Sequence, residues 1–389
     1  MSTWLLVAGD FTTYGGMDTA NFALASFLAR QAAGPRPGAG DDDHEVHLVS
    51  HRVAPELASL PAVCVHEVAR PLGAERFGEP LIRRSARLWQ KRLAGRRVRV
   101  VANGGNFDAG DVNWVHYVHA AFRPDAAGSF NLLRVRTNHR RYAAREQEAL
   151  GRARAVICNS QRTADDVVRL TGVERSKAHV VYYGIDAARF GPVDAAERAA
   201  SRERLRLPAD GRLALFVGAL GDRRKGFDTL FEAWRKLCET PDWDVDLVVT
   251  GTGAELPAWR ARAAAEIPGN RVRFLGFRKD MPAVFAACDL LIHPARYEAY
   301  GLAVHEALCR GVPAMVSTSA GVAERYPEDL GHLLVHDPQN ASELVQRLTA
   351  WRADDGLGQR VSLFASRLRA RSWDHMAREI VSIAEDARA

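Results

Sequence analysis

Short apolar runs that end at glycine-bearing turns recur along the sequence, and helical stretches separate them. Such runs are Trp4 to Ala8, Leu213 to Val217, Val245 to Thr250 and Val272 to Leu275. Apolar runs of about four to eight residues bounded by turns are typical of buried strands, and their alternation with helices is typical of parallel sheets. The pattern therefore predicts an α/β protein with doubly wound sheets, in which ligands bind beyond the carboxyl ends of the strands.

The chain has 389 residues, which is more than a single hydrophobic core usually organises. We therefore expect two Rossmann-like domains, an N-terminal one over residues 1–192 and a C-terminal one over residues 193–371. The polar stretch Asp194 to Arg206, followed by Pro208, marks the approach to the second domain.

The composition is that of an ordinary folded protein, with 47% apolar residues, 26% charged residues and a net charge of +6. No apolar run approaches the ~20 residues that a membrane-spanning helix needs, and the N-terminus lacks the basic flank of a signal peptide. The five cysteines include no Cys-x-x-Cys pair, which favours reduced thiols over a disulfide framework or a zinc site. We expect a cytoplasmic protein. Nucleic-acid binding is not expected, because no aromatic platform accompanies the basic residues.

Two acidic runs raise the question of a metal site. Asp41-Asp42-Asp43-His44 follows a loop rich in glycine and proline, and nothing rigid fixes its side chains. Asp244-Val245-Asp246 stands at the start of a strand, which is the wrong end for a ligand. Neither run therefore predicts a metal site, and no other motif in the sequence leads us to expect a cofactor.

The segment Arg296 to Gly311 has the clearest signs of chemistry. It follows the apolar run Leu290 to His293, and Gly301 opens a predicted helix. The first N–H groups of a helix lack partners and carry partial positive charge, so a diphosphate is stabilised there. Glu298 and Glu306 flank this point with seven residues between them, and carboxylates accept hydrogen bonds from sugar or ribose hydroxyls. The segment alone also fits two solvated surface glutamates.

A glycine-rich turn with three adjacent cations follows the run Leu213 to Val217. It begins at Gly218 and carries Arg223, Arg224 and Lys225. Fixed positive charge can stabilise a diphosphate leaving group while its bond to a sugar breaks. A basic surface turn is the alternative that this segment alone leaves open.

Two features of the N-terminal half lie at predicted strand ends. Gly16 closes the loop after the first strand, where a Gly-Gly pair lets the backbone approach a ligand closely. His119 follows the predicted strand Trp114 to Val118 and should project into the crevice at that edge. His116 should point to the opposite face by strand periodicity. Taken alone, His119 is as readily a hydrogen-bonded structural histidine.

These segments together resemble the family-4 glycosyltransferases, which are retaining enzymes of the GT-B fold. The resemblance covers nearly the whole chain and rests on four short motifs: Glu298 with Glu306, Lys225-Gly226, Asn159-Ser160 and Gly184-Ile185-Asp186. It implies two Rossmann-like domains that face a central cleft. It also implies that the final helix, residues 372–389, crosses back to the N-terminal domain.

The resemblance assigns Glu298 to the hydroxyls of the donor sugar and Glu306 to the ribose. Backbone amides of Gly301, Leu302 and Ala303 are expected to hold the diphosphate. Tyr300, which directly precedes these residues, is also expected to bind the donor.

Lys225 and an arginine are expected to grip the phosphates. The family arginine position is Ala219 here, so we expect Arg224, or as second choice Arg223, to replace it. Gly218 belongs to the same donor-binding turn.

The resemblance also implies which residues contact the base and the sugar of the donor. Phe277 and Arg278 are expected to contact the nucleotide base, and Gly16 to face the donor. His119 is expected to position a sugar hydroxyl. The expected catalytic set is therefore His119, Arg224, Lys225 and Glu298.

The implied activity is metal-independent transfer of a sugar from a nucleoside diphosphate to an acceptor hydroxyl, with retention of anomeric configuration. A UDP-sugar is favoured and a GDP-sugar comes next; the acceptor is a glycan, a lipid-linked molecule or a small molecule. Two alternatives stay open: a nucleotide-sugar epimerase on the same fold, and a noncatalytic nucleotide-sugar-binding protein.

The stretch Leu81 to Leu93 predicts a basic amphipathic helix. Ile82, Ala86 and Trp89 fall on one face, and basic residues occupy much of the rest. Contact with an anionic membrane is one interpretation, because each basic residue near such a surface adds ~1 kcal/mol. A crossover helix with a solvated basic face is the other. The expected location is at the inner face of the membrane if lipid is bound.

Overall fold

The computed structural model describes residues 3–32, 45–124 and 129–387. The chain divides into two compact units. One comprises Met1–Arg123, Arg136–Gly184 and Ser372–Ala389, and the other comprises Pro124–Val135 and Ile185–Arg371. The acidic run from Asp41 to His44 lies outside the described residues.

Strands and helices alternate through residue 184. In chain order they are β1 (Thr3–Val7), β2 (Asp10–Phe11), α1 (Gly16–Ala32), β3 (Val46–Ser50), β4 (Arg52–Val53), α2 (Pro55–Ala58), β5 (Val63–Glu67), α3 (Glu75–Arg92), β6 (Val98–Asn103), β7 (Val112–Val115), α4 (Ser129–Arg152), β8 (Ala155–Cys158), α5 (Gln161–Thr171) and β9 (Ala178–Val180).

The alternation continues after residue 184. The elements are α6 (Ala195–Leu205), β10 (Arg212–Val217), α7 (Phe227–Cys238), β11 (Val245–Thr250), α8 (Leu256–Glu266), β12 (Val272–Gly276), α9 (Met281–Ala287), β13 (Leu290–His293), α10 (Leu302–Cys309), β14 (Ala314–Ser317), β15 (Leu334–Val335), α11 (Ala341–Arg352), α12 (Leu357–Arg369) and α13 (Trp373–Asp386).

Each unit contains one large sheet whose described strand pairs are all parallel. The order is β5-β3-β1-β6-β7-β8-β9 in the first unit and β12-β11-β10-β13-β14-β15 in the second. Both orders reverse direction beside the first strand, between β1 and β6 and between β10 and β13. Such topological switch points are where ligands bind in open α/β sheets, because the loops after the two strands separate there. The expectation of two doubly wound α/β units is confirmed.

The cores of the two units are built from the predicted apolar runs and from one face of the helices. In the first unit Leu5 and Val100 pack with Ile82 and Ala86 of α3, all of them almost fully buried. Burial of large aliphatic side chains contributes roughly 1.5–3 kcal/mol each, so these strands are held by their flanking helices rather than by propensity alone.

The predicted helix over Leu81 to Leu93 exists as α3, although it begins earlier, at Glu75, with Pro80 inside it. Its basic face is only partly solvated. Arg83 and Arg87 both bind the carboxylate of Asp108, at 3.2 and 2.8 Å. These two cations are therefore engaged within the first unit.

The final helix, α13, belongs to the first unit and packs on α1. Ser372 caps it, and His375 reciprocates by accepting from the backbone N–H of Ser372. Arg30 of α1 reaches Asp374 at 2.6 Å. The cap and this exposed ion pair fix where the last helix begins.

Candidate active site

The switch point of the second sheet brings together the turn after β10 and the loop after β13. Gly226 adopts φ 72°, and a Cβ there would lie 2.0 Å from the carbonyl oxygen of Pro294. The backbone N–H of Arg296 donates to the carbonyl of Arg224 at 2.7 Å. Glycine is therefore required at position 226. The turn Arg223–Lys225 and the loop after β13, which carries Glu298, are held together by these backbone contacts.

Lys225 and Glu298 form the central ion pair of this structure. The ammonium Nζ lies 2.5 Å from Glu298 Oε2, and His293 Nε2 lies 3.2 Å from the same oxygen. About a fifth of each charged side chain is exposed. The other oxygen, Glu298 Oε1, has no hydrogen bond with the residues that the structure describes. A carboxylate held on one oxygen and open on the other can accept hydrogen bonds from hydroxyl groups of a ligand.

The ionisation of Glu298 follows from these contacts. Burial by itself raises the pKa of the carboxyl, but the charge of Lys225 and the hydrogen bonds from His293 and Lys225 outweigh it. The pKa is held well below its ordinary value, so Glu298 stays an acceptor at neutral pH.

The two arginines of the turn have acidic partners. Arg224 makes a bidentate pair with Asp222, at 2.6 Å for the shortest contact, and Arg223 approaches Asp228 at 3.5 Å. Asp228 also binds Arg296 at 2.8 Å. Lys225 lies next to these guanidinium groups in one short 3₁₀ turn, Arg223–Lys225.

The helix α10 begins beside Glu298. Gly301 has φ 102°, and its ideal Cβ would lie 3.5 Å from Glu298 Cγ. Leu302 and Ala303 form the first turn, where N–H groups have no partner within the helix. The start of α10 therefore lies close to the Glu298 carboxylate, which is bound to Lys225.

Tyr300 is turned away from this opening. Its side chain is almost fully buried; the hydroxyl lies 2.7 Å from His305 Nδ1 and 3.2 Å from an Arg325 nitrogen. Burial raises the pKa of the Tyr300 phenol to about 12. A donor contact from Tyr300 would therefore come from its main chain.

Glu306 lies in the second turn of α10 and is half-buried. Its carboxylate makes no hydrogen bond or ion pair with the described residues. Burial raises its pKa to about 8, against the weaker opposing influence of Arg189. A carboxyl without a partner in this position is suited to a ligand that donates hydrogen bonds.

The turn after β12 carries the residues expected to contact the base. Phe277 is 59% exposed, and Arg278 pairs with Asp280 at 2.7 Å. Gly218, after β10, has little room for a side chain, because a Cβ would lie 2.9 Å from Phe216.

The switch point of the first sheet opens into a cavity of about 350 Å³. Gly9 after β1, Asp10 at the start of β2 and Gly104 after β6 form part of its wall. Gly16, at the first position of α1, is exposed near the loop that carries Gly15 at φ 89°.

His119 lines this cavity in a short 3₁₀ turn, His119–Ala121. Its Nδ1 lies 3.0 Å from Glu146 Oε1, its backbone N–H donates to Glu146 Oε2 at 2.8 Å, and its Nε2 lies 3.2 Å from the hydroxyl of Tyr117. Glu146 therefore fixes both the ring and the backbone of His119.

The predicted strand Trp114 to Val118 is wrong in its bounds, since β7 ends at Val115. The expectation that His116 and His119 point to opposite faces is wrong as well, because both line the cavity. The period-two rule applies only inside a strand, and the chain has left the sheet before His116.

Several site residues escaped sequence reasoning. His293 is the last residue of β13, so the rule that selected His119 could have found it. Glu146 lies on α4, and His305 and Arg325 contact the hydroxyl of Tyr300, which is itself one of the expected donor-binding residues. No local pattern marks these contacts, because they join residues that only folding brings together.

A possible ligand set for a metal lies away from both switch points. Glu45, His47 and Cys64 place one ligand atom each within 4.8 Å of one another. Glu45 is already bound by Arg96 at 2.5 Å and by His47 at 3.1 Å. A cation there would have to compete with the Arg96 guanidinium, and the grouping plays no part in either switch point.

Two family profiles match the chain in succession. One, described as Glycosyltransferase Family 4, matches residues 36–189, and the other, described as Glycosyl transferases group 1, matches residues 197–366.

Curated relatives named D-inositol 3-phosphate glycosyltransferase match the chain in part. The protein from Xylanimonas cellulosilytica is 32% identical over 250 residues, which is 61% of this chain and 58% of that protein. The protein from Nocardioides sp. is 28% identical over 63% of this chain and 56% of its own length. The matched region thus spans less than two thirds of either relative.

Solved structures match over nearly the full chain. WaaG, a glycosyltransferase involved in lipopolysaccharide biosynthesis, has a TM-score of 0.75 at 19% identity over 98% of this chain and 99% of its own. Anabaena HepE, solved with UDP and glucose, has a TM-score of 0.69 at 20% identity over 99% of this chain and 100% of its own. At this level of identity the likeness establishes the fold.

Proposed function

Because the chain belongs to the family-4 glycosyltransferases and has their GT-B fold, we propose that it transfers a sugar from a nucleoside diphosphate to an acceptor hydroxyl, with retention. The observation that carries the proposal is the state of Glu298. One carboxylate oxygen is fixed by Lys225 and His293, and the other is open next to the start of α10. A sugar diphosphate has hydroxyls for the open oxygen and an anion for the lysine and the helix start.

In the proposed mechanism the second unit binds the donor. The amides of Leu302 and Ala303 receive the diphosphate, and Glu298 Oε1 accepts a hydrogen bond from the sugar. Glu306, without a partner of its own, accepts from the ribose. Phe277 and Arg278 contact the base.

Lys225 supplies the charge that the reaction needs. As the bond between the anomeric carbon and the diphosphate breaks, negative charge grows on the leaving oxygen, and a fixed ammonium stabilises it. Arg224 would add a second positive charge beside the leaving group when its guanidinium releases Asp222 and binds the phosphate. The acceptor then attacks from the face that the diphosphate leaves, and the departing phosphate takes the acceptor proton. The two glutamates beside the helix start, Glu298 and Glu306, are assigned to hydroxyls rather than to attack on the sugar, which favours this front-face route.

The first unit is proposed to bind the acceptor, with His119 positioned by Glu146 to contact a sugar hydroxyl and Gly16 facing the donor. A UDP-sugar is the favoured donor. The structural neighbour HepE was solved with UDP and with UDP-glucose, which supports this choice, and a GDP-sugar is second.

Three measurements test the proposal. Thermal-shift screening of UDP- and GDP-sugars should identify a donor that raises the midpoint of unfolding. Nuclear magnetic resonance of the donor with enzyme and an acceptor panel should then show a new glycosidic bond with the donor's anomeric configuration. A changed sugar without acceptor would instead establish the epimerase alternative, and donor binding without turnover would establish the noncatalytic one. An inverted product would refute retention. Turnover in the presence of a chelator should be unchanged.

Membrane association through α3 stays a prediction. Among the described residues no helix is long and apolar enough to cross a bilayer. Leu81 and Leu88 of α3 are exposed, while Arg83 and Arg87 are bound to Asp108. Sedimentation with liposomes that contain anionic lipid, against neutral liposomes as control, tests it; no lipid dependence would reject the idea.

A further inference from the structure

The cavity of the first unit has a size that suits one sugar or cyclitol ring. Its volume of about 350 Å³ lies at the lower end of known small-ligand pockets. It sits where β1 and β6 diverge, and glycine backbone at Gly9, Gly104 and Gly105 forms part of its wall. All of its lining residues belong to the first unit.

Two buried nitrogen atoms in this wall lack partners among the described residues. They are Trp114 Nε1 and His116 Nε2. Only 1% of Trp114 and 8% of His116 is exposed to solvent. The proton positions on His116 follow from its neighbours. Asn159 Nδ2 donates to the Tyr183 hydroxyl at 3.2 Å, and that hydroxyl lies 2.5 Å from His116 Nδ1. If the tyrosine donates to Nδ1, the proton of the neutral ring is on Nε2. Trp114 and His116 then present two unsatisfied N–H donors, which call for an oxygen acceptor on a ligand.

The charged groups of the cavity are strongly biased towards acids. Five carboxylates line it, namely Asp10, Asp18, Glu75, Glu79 and Glu146, whereas Arg70 is the one arginine or lysine among its described lining residues. Arg70 already forms ion pairs with Asp10 at 3.2 Å and with Glu75 at 3.5 Å. The described lining of the cavity therefore offers no lysine or arginine without an acidic partner to an anionic ligand.

Two of these carboxylates have acceptor atoms to spare. Glu79, which is 4% exposed, pairs through Oε2 with Arg145, while Oε1 has no hydrogen-bond partner among the described residues and lies 4.0 Å from Arg83. Asp18 makes no hydrogen bond or ion pair with any described residue. Burial, and then repulsion from Asp10, raises the pKa of Asp18 to about 7, against the weaker opposing influence of Arg52 and Arg70.

We propose that this cavity binds an acceptor that carries hydroxyl groups and a protonated amine, such as an amino sugar or an aminocyclitol. The ammonium group lies against Asp18 and Glu79, whose spare oxygens it satisfies with charge-assisted hydrogen bonds. Ring hydroxyl oxygens accept from Trp114 Nε1 and His116 Nε2. A phosphorylated ring is disfavoured, because its dianion would lie beside Asp18 and the spare oxygen of Glu79, while the one lining arginine, Arg70, is already paired with Asp10 and Glu75. The inference rests on the proposed function in one respect, namely that the occupant is the acceptor of the transfer.

The first test measures binding without any donor. Saturation-transfer nuclear magnetic resonance compares glucosamine, N-acetylglucosamine, glucose and glucose 6-phosphate, and adds 2-deoxystreptamine as an aminocyclitol. We expect an amino compound to bind at least about tenfold more tightly than its neutral counterpart, which corresponds to about 1.4 kcal/mol, and the phosphate not to bind. Equal binding of amino and neutral compounds, preference for the phosphate, or no binding by any amino compound overturns the proposal.

Variants connect the preference with the cavity. Asp18→Asn keeps the side-chain shape and should remove the preference for the amine, while Glu148→Gln, an exposed carboxylate on the same helix as Glu146, should leave it intact. If Asp18→Asn does not fold, as judged by thermal unfolding, Glu75→Gln is the second variant and should reduce the preference. An unchanged preference in a folded Asp18→Asn protein overturns the assignment of the ammonium position.

A transfer assay separates this inference from the proposed function. Donor binding with transfer to the amino compound supports both. Donor binding with transfer only to neutral or phosphorylated sugars leaves the transferase intact and overturns the acceptor class. Binding of amino compounds without any donor binding or transfer supports the cavity's chemistry and refutes the transferase.

Discussion

The two units share a topology but differ in the chemistry of their switch points. In the second unit, a turn with Arg223, Arg224 and Lys225 meets a helix start, and Glu298 is the acid bound to the lysine. In the first unit, five carboxylates surround a cavity with one arginine. Parallel sheets of the same strand order therefore place loops in equivalent positions, and the side chains on those loops decide what is bound. These side chains are the reason that we propose a cationic group as the ligand of the first site and a diphosphate as that of the second.

The largest effect on turnover is expected at Lys225, the cation that is bound to Glu298 in the second site and has no lysine counterpart in the described lining of the first. Lys225→Ala should lower turnover at saturating donor by about 10²-fold or more, because the ammonium stabilises charge that develops only as the bond to the leaving group breaks. Steady-state kinetics with the identified donor measure it. Lys236→Ala, an exposed lysine on α7, is the control and should retain activity. Near-normal turnover of Lys225→Ala would remove the catalytic role.

The rigidity of the two switch points can be compared through one glycine in each. Gly226→Ala places a methyl group against the carbonyl of Pro294 at positive φ, so we expect a loss of roughly 1–3 kcal/mol or more in free energy of unfolding. Gly15→Ala should cost less, since its nearest neighbour, 3.1 Å away, is an oxygen of the Asp18 side chain. Chemical denaturation measures both. Equal losses would contradict the view that the second site is the more tightly connected one.

A pH dependence should distinguish Glu306 from Glu298. Glu306 has a pKa of about 8, so below this pH it is protonated in the free protein, whereas ribose hydroxyls bind the ionised form better. Binding then releases a proton, and affinity should rise with pH up to about 8, by at most roughly tenfold per unit, and level off above it.

Isothermal titration with UDP-glucose suits this measurement, because its diphosphate does not titrate in the range. Glu306→Gln should flatten the profile, whereas Glu298, ionised throughout, contributes no slope. A profile with the same slope in Glu306→Gln would assign the titration to another group.

The smallest effects are expected at the arginines that stand in for Ala219. Arg224→Ala should raise the KM for donor a few-fold and lower turnover, with Arg223→Ala weaker, because each is already paired with an aspartate in the absence of donor. Wild-type kinetics for both variants would mean that no arginine replaces the one missing at position 219.

Much of the second site could be predicted locally. The glycine before α10, the Glu298 and Glu306 spacing and the three cations are all contained in two short segments, and strand-to-loop succession placed them at one sheet edge. The first site could not be predicted in this way. Its carboxylates come from β2, α1, α3 and α4, and an isolated acid on a helix has no pattern that separates a cavity wall from a solvated face.

The sequence by itself determined the order of strands and helices and the loops that we propose to bind the diphosphate, because hydrophobic periodicity and glycine conformations act over a few residues. Only the tertiary structure decided which oxygen of Glu298 is open, that His116 shares a cavity with His119, and that Asp18 and Glu79 have acceptor atoms to spare. Burial and pairing depend on residues distant in the chain, and those two quantities set the charge state and the binding capacity of a side chain.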